Sequence, residues 1–474
     1  MSRARLGARV ALLVTAAALA LPAAASAHGL VGKQDLPIPR WLFAWAAAVV
    51  LVASFVGLAV LWAVPRLQHV VEHRVAGVPR ILEVLAGMVG VAAFALTVYA
   101  GFAGTQSATA NLAPTVIYVL FWVGFPFASA LLGDVFRAFN PWLAVGKAVG
   151  WASRRLGGAD AGLDPLPYPP ALGRWPAVVG ILVFAWVELV YANKDDPTKL
   201  AIMAVAYAAV QLVGQSLYGV EAWSRRGDAF GVYFGLFACV SPLHWHDRAL
   251  WRRPPLGGVP SLTPVAGTVA LLCTMIGTTS FDGFSQGRLW NSIVPHLQSF
   301  FADLGLNAEH ALEWAGTVGM LVMVALIGLL YRLGVAGMHT VGRRRPASEL
   351  APSFAHTLVP IALAYVVAHY FSLLAYQGQA LGALLSDPLG HGSDLLGTRS
   401  WTINYTWISA TGIWYVQVAA LVLGHVAGLT LAHDRALAVF DRVRDATRSQ
   451  YWMLAVMVAF TSLGLWLLSA AAQQ

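Results

Sequence analysis

Apolar runs recur about ten times along this 474-residue chain, near 41–64, 81–103, 113–132, 174–192, 199–220, 262–280, 312–331, 354–376, 408–432 and 451–470. Each is close to the roughly 20 residues a helix needs to cross the hydrocarbon core of a bilayer. Lipid offers the backbone no hydrogen bonds, so runs of this length cross as helices. The pattern predicts an all-α polytopic integral membrane protein, one domain spanning 28–474 with about ten transmembrane helices.

Charge gives this pattern a direction. Cations gather in alternate connections: Arg66, Arg74 and Arg80 after the first run, Arg137, Lys147, Arg154 and Arg155 after the third, Arg225, Arg226, Arg248, Arg252 and Arg253 after the fifth. Arg343, Arg344 and Arg345 follow the seventh, and Arg435, Arg442, Arg444 and Arg448 the ninth. The intervening connections hold little beyond Lys194, Lys199, Arg288 and Arg399. Positively charged loops stay cytoplasmic. The expected location is therefore a bacterial plasma membrane, with the mature N-terminus and the C-terminus both outside. Loop retention also accounts for the net charge of +8, so no nucleic-acid partner is expected; the lipid bilayer is. Charged residues are only 11% of the chain, against about 25% in soluble domains. Cys239 and Cys273 lie in apolar stretches and suggest neither a disulfide nor a CxxC metal site.

The first segment reads as a signal peptide, 1–27. Arg3, Arg5 and Arg9 precede the apolar stretch 10–22, and Ala25-Ser26-Ala27 supplies an A-x-A cleavage pattern. Cleavage would make His28 the first residue, offering an amine and an imidazole nitrogen to one metal, an arrangement suited to copper. Two segments that are not plain loops, 136–151 and 230–242, read as interfacial or re-entrant. The outer connections 281–311 and 377–407 are long enough to fold over the outer mouth.

An ionisable residue inside a run is costly, and so marks a candidate site. Asp282 ends the sixth run, Glu188 lies near the outer end of the fourth, and His369 is in the outer half of the eighth. Tyr365, Ser372 and Tyr376 share a helical face with His369. Asp282, His369, Glu188 and His28 form an outer group with donors for a divalent ion, zinc or copper, which could activate water. Asp282 and His369 are the candidate catalytic pair. On the inner side lie His425, Gln211 and Gln215. His356, 13 residues from His369, is roughly 20 Å away along a regular helix. His244-Trp245-His246-Asp247 reads as an aromatic anchor in a cytoplasmic loop. No HExxH, GxSxG, Walker A or dinucleotide-binding pattern is present.

Four segments carry a resemblance: 27–43 (AHGLVGKQDLPIPRWLF), 280–286 (SFDGFSQ), 368–379 (AHYFSLLAYQGQ) and 424–436 (GHVAGLTLAHDRA). They resemble actinobacterial multi-pass membrane proteins labelled fenitrothion hydrolase. The resemblance implies hydrolysis of an organophosphorus phosphotriester, and carries no assignment of catalytic residues. Two functions are thus expected. One is a metal-assisted hydrolase of a small apolar ester at the outer face. The other is a transporter or a copper- or zinc-handling permease, with His369 and His425 marking a path. Polar groups clustered on one side would favour the first, and polar groups at every depth the second.

Overall fold

The computed structural model describes residues 40–157, 164–341 and 345–471. The expected signal peptide, His28, Arg343 and Arg344 lie outside them. The described chain is mostly helical. In order it forms α1 (Arg40–Leu61), α2 (Arg80–Ala103), α3 (Leu112–Leu132), α4 (Val135–Phe139), α5 (Pro141–Gly157), α6 (Trp175–Leu189), α7 (Pro197–Tyr218), α8 (Val220–Arg226) and α9 (Ala229–Ala238). These are followed by α10 (Thr268–Ser285), α11 (Arg288–Asp303), α12 (Ala308–His339), α13 (Ala347–Phe354), α14 (Leu358–Gln377), α15 (Leu381–Ser386), α16 (Ala410–Val439) and α17 (Val443–Ala471). Three short strands, β1 (His73–Gly77), β2 (Leu243–His246) and β3 (Ala249–Arg252), complete it.

Among the described residues six helices are long and apolar enough to cross a membrane: α2, α3, α7, α12, the continuous run Ala347–Ser386 and α16. Four of the ten expected spans do not meet this measure among the described residues. At the other four positions the apolar run and the helix do not coincide. The 174–192 run outlasts α6, which ends at Leu189. The 262–280 run begins in non-helical chain, and α10 starts only after Gly267, whose φ is 80°. α1 stops at Leu61, short of the end of its run at 64, and α17 opens with charged turns around Arg444 and Asp445.

α10 is the centre of the bundle, packing on α6, α12, α14 and α17. That position explains its composition, because a helix surrounded by protein need not be apolar all round. Its threonines satisfy themselves: Thr278 donates to the Thr274 carbonyl at 2.9 Å and Thr279 to that of Met275 at 3.1 Å. α14 and α16 form the closest helix pair. A Cβ on Gly424 would sit 2.3 Å from the Ala364 Cβ and 2.7 Å from the Pro360 carbonyl oxygen, so only glycine permits this approach.

The segments expected at the interface behave differently from each other. α9 is buried along its whole length, with Tyr233, Phe234 and Phe237 among the most enclosed side chains. It is therefore sheathed by protein, not lying on a surface. α5 is buried only at its start, around Trp142 and Leu143, while Val149, Trp151 and Leu156 are exposed. The α4–α5 and α8–α9 hairpins meet at their turns. The Asp228 carboxylate accepts from Asn140 Nδ2, Trp142 Nε1 and Tyr207 hydroxyl, each at 2.8 Å, and caps α9 through Gly231 N at 3.2 Å. Irregular backbone inside a membrane protein is tolerated where it is enclosed and satisfied in this way. At Gly90 of α2 a Cβ would fall 1.8 Å from the Phe139 carbonyl oxygen, so glycine is required for α4 to approach.

The arginine-rich end carries an antiparallel sheet in the order β1-β3-β2. His244-Trp245-His246 is therefore a strand, not a loop. Asp247 and Arg248, at φ 47° and 53°, form its two-residue turn. Buried Arg253 donates to the carbonyls of Ser241 and Ala238 past the end of α9 and pairs with Glu72 at 3.4 Å, placing a cation at a helix C-terminus. Asp434 is also buried, and accepts from Trp62 Nε1, Gln68 Nε2 and the backbone of Arg66 and Leu67. It pins the connection after α1 to α16.

At the other end, 387–399 folds over the mouth. Asp387 accepts from the backbone N–H groups of His391 and Gly392 and the Ser393 hydroxyl. The Leu389 and Pro388 carbonyls accept from Thr105 N and Leu112 N.

Candidate functional site

α10 and α14 lie side by side, and the contact brings two sequence candidates together. Asp282 Oδ2 is 2.8 Å from His369 Nε2, with the side chains 15% and 23% exposed. His369 is eight residues before the end of α14, about 12 Å along the helix. Asp282 is one turn from the end of α10. The pair thus lies in the arginine-poor half of the bundle, below the surface.

A small cavity adjoins it, lined by Thr279, Ser280, Tyr365, His369, Leu421 and Gly464. Its volume is about 20 Å³, room for one water molecule. A phosphotriester does not fit there without a rearrangement of the surrounding helices.

Glu188 approaches from α6. It is close enough for its carboxylate to interact with Asp282, and the Tyr370 hydroxyl lies within reach of both acids. Glu188 Oε2 is buried without a hydrogen-bond partner. The Trp122 indole and the Tyr370 hydroxyl are the donors beside this carboxyl. Among the described residues no three His, Cys, Asp or Glu side chains converge on a point that could hold a metal ion. Asp282 and His369 offer two donors, fewer than the three protein ligands of a catalytic zinc site. His28, the remaining expected ligand, lies outside the described residues.

The other candidates disperse. Tyr365 remains with the site, lining the cavity and donating to the Phe460 carbonyl at 3.1 Å. Tyr376 turns to the mouth, donating to the Ile408 carbonyl at 3.0 Å. Gln211 accepts from Trp223 Nε1 at 2.9 Å, and Gln215 is buried beside α5; both support the α8–α9 hairpin. His425 is fully buried, its Nδ1 2.7 Å from the Leu421 carbonyl and its Nε2 without a partner. Its ring centroid is 6.2 Å from that of Tyr365, one step below the cavity. His356, also buried, has a partnerless Nε2 and lies within electrostatic reach of Asp434 and Arg435. His433 Nε2 contacts the Trp62 carbonyl at 3.1 Å.

Sequence reasoning missed Tyr370 and Trp122. Tyr370 follows His369 directly, and its ring stands edge-on to the imidazole at 4.8 Å. Adjacent helical residues point about 100° apart, so a search along one face skips it. Trp122 stacks on Tyr233 at 4.8 Å beside Glu188, and nothing in its uniformly apolar run distinguishes it.

Comparison with protein-family models, curated proteins and solved structures finds no match to this chain.

Proposed function

We propose that this chain is a membrane transport protein that relays protons through its helical bundle. The observation that carries the reading is the placement of buried ionisable groups at successive levels along α14 and the neighbouring helices α6, α10 and α16. Glu188, Asp282 and His369 lie in the arginine-poor half, then Tyr365 and the one-water cavity, then His425, then His356 beside Asp434. Intramembrane ionisable chains of this kind mark proton paths. Imidazole is suited to each step, since it takes a proton on one nitrogen and releases it from the other. The partnerless Nε2 atoms of His425 and His356 are the positions where such transfers would occur.

The same reading takes the chain as ten crossings in a plasma membrane, with both termini outside and a signal peptide removed. The arginine alternation supports the orientation. The enclosure of α10 by neighbouring helices supports a crossing despite its polarity. The test is proton flux into vesicles containing the purified protein. Asp282→Asn and His369→Gln should both reduce flux to the leak of protein-free vesicles, and a flux unchanged by either would end the proposal.

A second reading is favoured by the Asp282–His369 pair itself, which has the geometry of an oriented general base. In that reading the chain hydrolyses an apolar phosphotriester, as the resemblance implies, and zinc or copper would need His28 as a further ligand. The small cavity weighs against it. Incubation of the purified protein with a phosphotriester, with and without each metal, decides the matter: absence of turnover in all three conditions removes the hydrolase reading.

A further inference from the structure

The arginine-rich end holds a groove that the relay does not use. It runs between the half of α2 nearest Arg80, the α4–α5 hairpin, the start of α8 and the β2–β3 turn, and its volume is about 1700 Å³. Small-molecule sites are typically roughly 300–1,000 Å³, so the space exceeds what a soluble metabolite needs. The wall is apolar, formed by Leu82, Met88 and Val91 of α2 facing Val145 of α5. Exposed Leu85 and Val89 continue this wall along the outside of α2, so the groove opens toward the bilayer.

Its rim is cationic. Arg80, Lys147, Arg154 and Arg248 are exposed and form no ion pair within 4.0 Å among the described residues. The acids nearby are mostly engaged. Glu221 pairs with Arg137 at 2.7 Å and Arg225 at 3.5 Å, Asp247 contacts His246 at 3.0 Å, and Asp134 caps α4 through Arg137 N. Glu83 is the groove acid without an ion pair among the described residues, and Glu221 also lies within electrostatic reach of Lys147.

We propose that this groove binds an anionic phospholipid, its phosphate held at the rim and its acyl chains laid along α2 and α5. Charge complementarity selects the headgroup, and the apolar wall selects chains over a free anion. Basic pockets beside transmembrane helices bind lipid headgroups for these reasons.

The experiment is thermal unfolding of the full chain in detergent, with added phosphatidylglycerol, phosphatidylcholine or inorganic phosphate. Phosphatidylglycerol alone should raise the midpoint, and the paired substitution Lys147→Gln with Arg154→Gln should remove the rise. Arg442→Gln, a cation outside the groove, should leave it intact. If that double variant does not fold, Met88→Trp tests the apolar wall without altering charge and should also remove the rise. An equal rise with phosphatidylcholine would reduce the groove to ordinary lipid contact and overturn the proposal. So would a full rise with inorganic phosphate, or a rise that survives both variants. Asp282→Asn should retain the phosphatidylglycerol effect, so failure of the relay and failure of the lipid site are separable.

Discussion

Replacing each member of the Asp282–His369 pair, singly and together, tests whether the site holds a charge. At 2.8 Å, two unit charges attract by about 6 kcal/mol at an effective dielectric constant near 20, before desolvation is subtracted. Desolvation offsets much of this, but removing one partner leaves the other buried alone, at about 3–5 kcal/mol. A neutral hydrogen bond between membrane helices averages only about 0.6 kcal/mol and reaches roughly 1.7. Asp282→Asn and His369→Gln should therefore each destabilise by about 3 kcal/mol or more if the pair is ionised. The partial exposure of both side chains sets the lower end of that range. The double variant places two neutral amides side by side and should be more stable than either single one. The assay is reversible unfolding in mixed detergent micelles, combined as a double-mutant cycle. A coupling energy below about 1 kcal/mol, or single losses that simply add, would refute an ionised pair and with it the charge on which the relay depends.

Gly424→Ala should destabilise by about 1–3 kcal/mol through overpacking of α14 against α16, read as a lowered unfolding midpoint. Gly328→Ala, with nothing within 4 Å, should be neutral or better. Asp387 is held below the ordinary carboxylate range: burial would raise it, but hydrogen bonds from Ser393, Gly392 and His391 outweigh that. Asp394 is held low chiefly by the Ser386 hydroxyl. Their contribution to the 387–399 cover is thus complete above the unfolded value of 3.8 and lost as pH falls through the lower folded values. Amide exchange there should accelerate in that acid window and not between neutral pH and pH 5; early acceleration would contradict the assignment. Reporter fusions after Gln106, Asp195 and Ser386 should read outside and those after Arg155 and Arg344 inside, and one reversal breaks the orientation.

Much of the bundle was legible because lipid imposes a length on helices and arginine imposes a side. Where protein replaces lipid, those rules weaken. α10 is 18 residues long but too polar to stand out as a span, because its neighbours, not acyl chains, surround Thr278 and Asp282. α9 reads as interfacial or re-entrant because sequence gives its apolarity but not what covers it. The β2–β3 hairpin was present in the alternation Leu243 to Arg252, but Asp247-Arg248 lacks the glycine that usually announces such a turn. The Asp282–His369 contact could be anticipated, since both residues fall at similar depth. The roles of Tyr370 and Asp434 could not, because depth says nothing about which neighbour a side chain meets.

The meeting of Asn140 with Asp228 bears on how the chain holds together. Neither hairpin turn can stand alone in hydrocarbon, since each exposes backbone and an acid or amide that lipid cannot satisfy. Asp228 finds its partners only with Tyr207 of α7 and Trp142 of α5 in place. The Asp228 carboxylate therefore ties both hairpins to α7 at one point, and losing any one partner leaves the buried acid a donor short. A single carboxylate thus joins three separate stretches of chain, so this part of the fold holds or fails together.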